Sequence, residues 1–163
     1  MKNIPIYVTI FLLLLSCNKQ KSDLSVVETF IKTLKEDKTE TIETIDLSSE
    51  NISELLTHRN DKQNISNFKR NPLSSFYLDE VILGMYILWT IESIRMKEID
   101  GPGYYLYASL NPRRINVSSG ELVDQDIILS EIAKAYFEWW NSNLLLEEKL
   151  QINPLDSLDL SWN

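Results

Sequence analysis

Val81-Ile82-Leu83-Gly84-Met85-Tyr86-Ile87-Leu88-Trp89-Thr90-Ile91 is the stretch whose reading decides the fold. Only Gly84 and Thr90 stand outside the apolar and aromatic set, and the flanking pattern predicts a helix over about 74–97. Two stripes separate on it. Leu78, Ile82, Met85, Trp89 and Met96 follow one side at helical spacing, while Phe76, Leu83, Ile87 and Ile94 follow nearly the opposite side. A helix that is apolar on two faces packs between other elements. Asp79, Glu80 and Glu92 interrupt any membrane-length run, which needs about 20 apolar residues.

The remaining elements arrange themselves around this one. Ser25 and Glu28 have capping-box spacing, and Leu24, Val27, Ile31 and Leu34 share a helical face with Phe30 beside them. A second helix is predicted over about 49–58 on Ile52, Leu55 and Leu56. His58 and Arg59 fall in its last turn, where the helix dipole favours cations. Asp100-Gly101-Pro102-Gly103 breaks the chain. Tyr104 to Leu110 fits a helical turn or a strand equally, and 111–124 reads mostly as loop. A fourth helix, over about 123–141, turns Ile128, Ile132, Ala135, Tyr136 and Trp139 inward. Leu155, Leu158, Leu160 and Trp162 give the tail enough apolar groups to dock. With four glycines and few β-branched alternations, an all-β chain is disfavoured. The expectation is all-α: a single compact helical domain of four to five helices around the central apolar helix.

The N-terminus reads as a leader. Lys2 supplies a positive charge, Ile4 to Leu15 an apolar run too short for a comfortable span, and Leu14-Leu15-Ser16-Cys17 the pattern of bacterial lipoprotein processing. Cys17 is the only cysteine in the chain. The expected organisation is a signal peptide over 1–16, a lipidated tether over 17–22 and a helical domain over 23–163. Diacylglyceryl transfer to Cys17 would tie the chain to the bacterial cell envelope, and Asn18 in place of Asp favours the outer membrane. With that thiol acylated, no disulfide chemistry remains.

Charge and composition exclude several functions. The chain carries −8, and losing Lys2 with the leader makes it one unit more negative. Nucleic-acid binding needs a basic surface, so it is not expected. A partner of basic character is allowed. His58 is the only histidine, which leaves no histidine-based triad with a nucleophile elbow and no zinc ligand set, and no cofactor is indicated. Asp124 and Asp126 start like a calcium loop, but Ile127-Ile128-Leu129 follows, so they read as helix N-terminal acids. No catalytic residue is assigned.

Two groups of residues invite a site reading. Glu92 lies on the apolar helix beside Trp89 and Met85. It is either a general acid with a raised pKa or, more simply, half of a buried ion pair with Arg95 one turn on. In the cluster Tyr136, Phe137, Trp139 and Trp140, Trp139 falls on the inner face. Phe137 and Trp140 fall toward its edges, as a candidate interaction patch. Asp156-Ser157-Leu158 resembles an O-glycosylation acceptor of some Gram-negative envelopes.

Asn71-Pro72-Leu73-Ser74-Ser75, the run Leu83 to Arg95, Asn111-Pro112, Tyr136-Phe137 with Trp139-Trp140, and Asn153-Pro154-Leu155 together resemble an uncharacterised domain family. Its members are small lipoproteins of gut-type Gram-negative bacteria, and the likeness spans most of the mature chain. The resemblance implies an envelope location and brings no catalytic residue with it. The expected role is a lipid-anchored, non-enzymatic binding or interaction module, with an inhibitor or immunity-type protein against a basic partner as one form. The alternative is an envelope hydrolase working through acidic side chains such as Glu92.

Overall fold

The computed structural model describes residues 24–36, 45–69, 78–101 and 112–162. Cys17, the leader, the tether, Phe76 and the aromatic run 104–110 lie outside them. Helix α1 (Val26–Lys35) opens on the expected capping box: Ser25 Oγ accepts from the Glu28 N–H and the Glu28 carboxylate from the Ser25 N–H, both at 2.9 Å. Val27, Phe30, Ile31 and Leu34 are buried. Leu24 precedes the cap and stays exposed, outside the stripe the sequence assigned it. Ser25 also bonds Glu54 of the short α2 (Ile52–Leu55), which two 3₁₀ turns, Ser49–Asn51 and Leu56–His58, extend at either end.

Helix α3 (Leu83–Asp100) is the centre, and every residue from Leu83 to Arg95 is buried. Its polar members survive there because they find partners on the helix itself. Thr90 donates to the Tyr86 carbonyl at 2.8 Å and Ser93 to the Trp89 carbonyl at 2.9 Å. Gly101, at φ 85, ends it in a backbone conformation that side-chain-bearing residues avoid.

The helix starts later than its hydrophobic pattern suggests. Residues 74–77 lie outside the described set, and 78–82 are not helical. Val81–Ile82 is instead a strand, β2, antiparallel to β1 (Asn64–Ile65) with Ile65 opposite Val81. The chain enters α3 from an extended Ile82, and no side chain caps it. The first helical N–H groups are satisfied by the segment that leads into β1: Leu83 donates to the Gln63 carbonyl and Gly84 to the Asp61 carbonyl, each at 2.8 Å. Gly84 is where backbones meet, since a Cβ there would sit 2.5 Å from the Arg59 carbonyl oxygen.

Against α3 pack α4 (Gln125–Trp140) and α5 (Leu146–Gln151). Asp124 caps α4, its carboxylate accepting from the Asp126 N–H at 2.8 Å. The inner stripe is Leu129, Ile132, Ala133, Tyr136 and Trp139. Ile128 and Ala135, expected inward, are only half-buried, because α3 meets the helix slightly to one side of the predicted stripe.

A second sheet replaces part of the expected loop. Strand β3 (Arg114–Asn116) pairs antiparallel with β4 (Leu160–Trp162), and Ile115 bridges to Leu122 on its other edge. The tail therefore docks as a strand, with Leu155 and Leu160 buried. The fold is predominantly helical with two small antiparallel sheets, and the all-α expectation is corrected to that extent. Among the described residues no helix is long and apolar enough to cross a membrane.

Candidate functional site

Glu92 and Arg95 face each other one turn apart inside the core. Arg95 Nη2 lies 2.6 Å from Glu92 Oε1, and Nε lies 3.0 Å from Oε2. The carboxylate also accepts from the Tyr136 hydroxyl at 2.8 Å, and that hydroxyl accepts from the Trp162 indole N–H at 2.8 Å. The remaining arm of the guanidinium, Nη1, donates to the Leu150 carbonyl at 2.8 Å. One polar cluster thus links α3, α4, α5 and β4.

Its electrostatics follow from burial and pairing. Burial pulls the Arg95 pKa down, but the hydrogen bond and the charge of Glu92 outweigh it, so the group ends above its ordinary value. Burial and then the Glu92 charge drive the Tyr136 phenol well above the ordinary tyrosine value, against the Trp162 hydrogen bond. Glu92 is 6% exposed and engaged by three donors. A carboxylate held this way spends three of its about four acceptor positions inside the fold. The geometry suits cross-linking of the fold.

The aromatic pair divides. Phe137 stays 42% exposed, beneath the Arg59 guanidinium at 4.2 Å from its ring centroid. Trp140 is half-buried: its indole N–H donates to Ser53 Oγ at 2.8 Å, and the Lys149 ammonium lies 5.3 Å from its ring. Lys149 also donates to the Trp140 carbonyl at 2.6 Å, while Trp139 donates to the Lys149 carbonyl at 2.7 Å. These bonds seat α5 against the end of α4.

The turn between those helices carries what the sequence reading missed. Leu144, Leu145 and Leu146 are 42%, 73% and 45% exposed, and Glu147 and Glu148 follow directly. Ile152, at the far end of α5, is exposed as well. A leucine triplet reads in sequence like core; only the position of the turn outside the α3–α4 contact leaves it in solvent. Ser157 is exposed on the 3₁₀ turn Asp156–Leu158.

A family described as "Domain of unknown function (DUF4943)" matches residues 21–163, which takes in every element from α1 to β4. The chain belongs to this family. Within this DUF4943 domain the matched span holds the ion-pair cluster, the leucine turn and both aromatic edge residues. No curated protein and no solved structure matches the chain.

Proposed function

We propose that this DUF4943 domain is a lipid-anchored binding module of the bacterial cell envelope, tethered through Cys17 and engaging its partner non-covalently at the leucine turn. The observation that carries the reading is the exposed triplet Leu144–Leu146 set directly against Glu147 and Glu148. Three contiguous large apolar side chains in solvent are costly for a monomer and are found where something docks. The adjoining carboxylates, in a chain of net charge −8, select a partner segment that combines apolar anchors with basic side chains. Phe137 under Arg59 supplies a rigid aromatic nearby in sequence, in the last turn of α4.

The tether reading rests on Leu14-Leu15-Ser16-Cys17 and on the family resemblance. Inhibition of a basic envelope protein is the form of the role that the charge suits best. The test is photo-crosslinking in cells, with a photoreactive phenylalanine analogue placed at 145 and, as control, at Glu131 on the exposed side of α4. A discrete adduct from 145 that is lost in a Glu147→Lys/Glu148→Lys background is expected. Equal labelling from 131, or none from 145, contradicts the proposal.

A further inference from the structure

Between Leu78, β3 and the start of α4 lies a cleft of about 260 Å³ with Arg114 in its lining. Arg114 is 4% exposed. Nη1 donates to the Pro112 carbonyl at 2.6 Å and Nη2 to the Val123 carbonyl at 3.2 Å, while Nε is buried with no hydrogen-bond partner. Among the described residues no carboxylate lies within salt-bridge distance of it. Arg95, the other buried arginine, has Glu92. Among the described residues Arg114 has the carbonyls of Pro112 and Val123 and the Trp162 ring at 5.9 Å.

A buried cation without a counter-ion is an expensive arrangement, and removing its partner from such a pair is what ordinarily costs most. Burial accordingly pulls the Arg114 pKa down to about 10, with Asp124 opposing from a distance and Arg113 adding to the fall. Each Nη carries a second N–H beyond the one already spent on a carbonyl, and the planar fork matches a carboxylate. The walls decide what kind. Leu78, Pro112 and Leu122 are apolar, and the charged lining sets Arg113 and Arg114 against Asp124 and Asp126, leaving no excess of positive charge for a dianion.

We infer that this cleft is a binding site for a small organic monocarboxylate with an apolar side chain, such as the C-terminal residue of a peptide, held through Arg114. The volume admits one such residue and little more. A phosphate would bring a second negative charge to a lining whose arginines and aspartates already balance. The site is separate from the leucine turn, so its ligand is independent of the docking partner proposed above.

The probe is N-acetyl-L-leucine, titrated by calorimetry and NMR into the full chain in detergent micelles, beside N-acetyl-L-leucinamide and inorganic phosphate. Saturable binding of the acid is expected, with a shift of the Arg114 Nε–H resonance and at least tenfold weaker binding of the amide and of phosphate. Arg114→Met should weaken the acid at least tenfold. Leu122→Trp, which narrows the cleft and leaves Arg114 in place, should do the same and keeps the test valid if Arg114→Met does not fold. Absence of saturable binding overturns the inference. So does equal binding of the amide, phosphate binding as tightly as the acid, or a Leu122→Trp protein that binds like the parent.

Discussion

Replacing Arg95 by Met, shorter and uncharged, removes the only cation that touches Glu92 among the described residues. Glu92 would then be a buried carboxylate with a single donor, the Tyr136 hydroxyl. Breaking a buried pair from one side costs about 3–5 kcal/mol, because the surviving charge is left uncompensated. Glu92→Leu should cost a similar amount from the other side, stranding the guanidinium on the Leu150 carbonyl and the Met96 sulfur. The double variant strands no charge. It forfeits the hydrogen bond to Leu150 and the acceptor of Tyr136, and unmade bonds of that kind cost about 1–3 kcal/mol. The two single losses together therefore exceed the double loss by several kcal/mol. Urea unfolding of the four proteins measures this cycle. Losses that add within about 0.5 kcal/mol, the behaviour of independent sites, would refute the pairing as the source of the stability.

Gly84→Ala should destabilise the chain by about 1–3 kcal/mol, the range for overpacking, although helix propensity alone favours Ala by about 1 kcal/mol; the sign of the shift in unfolding midpoint decides between them. Trp89→Ala, at a site with no exposure, should cost about 3–5 kcal/mol by denaturant unfolding, and a loss below about 1 kcal/mol contradicts the central placement of α3. Tyr136 is neutral in the fold at pH values where a free tyrosine ionises, so its folded pKa is the raised one. Its contribution should hold below about pH 10, the ordinary tyrosine value, and fall as pH rises above it. The comparison of parent with Tyr136→Phe isolates this, because the depressed pKa of Arg114 acts with opposite sign above pH 10 in both proteins.

The central helix was legible because an unbroken apolar run has few homes other than the middle of a domain, and the same is true of α1, whose cap lies in Ser25 and Glu28. Its first turns were misread for a physical reason. Val81 and Ile82 belong to the apolar run, yet as β-branched residues they serve equally in a strand, and the choice is made by Asp61, Gln63 and Ile65 across from them. Strands of two or three residues, such as β3 and β4, carry no period to read. Their pairing joins Arg114 to Trp162, and no local pattern links those positions. The site divides the same way. The one-turn spacing of Glu92 and Arg95 is visible on a single helix, whereas Tyr136, Trp162 and the Leu150 carbonyl reach them only through the packing of three other elements. Arg114 falls in the stretch that reads mostly as loop; its burial with no carboxylate among the described residues beside it is a property of the fold alone.

The proposed role stands on the tether, since a docking turn and an acidic surface act as an envelope module only if the chain is held there. Intact-mass analysis of the full chain, extracted with detergent from the membranes of bacteria that make it, tests this directly. The account requires a mature N-terminus at Cys17 carrying diacylglycerol. A Cys17 with an unmodified thiol, or cleavage at another position, would contradict it.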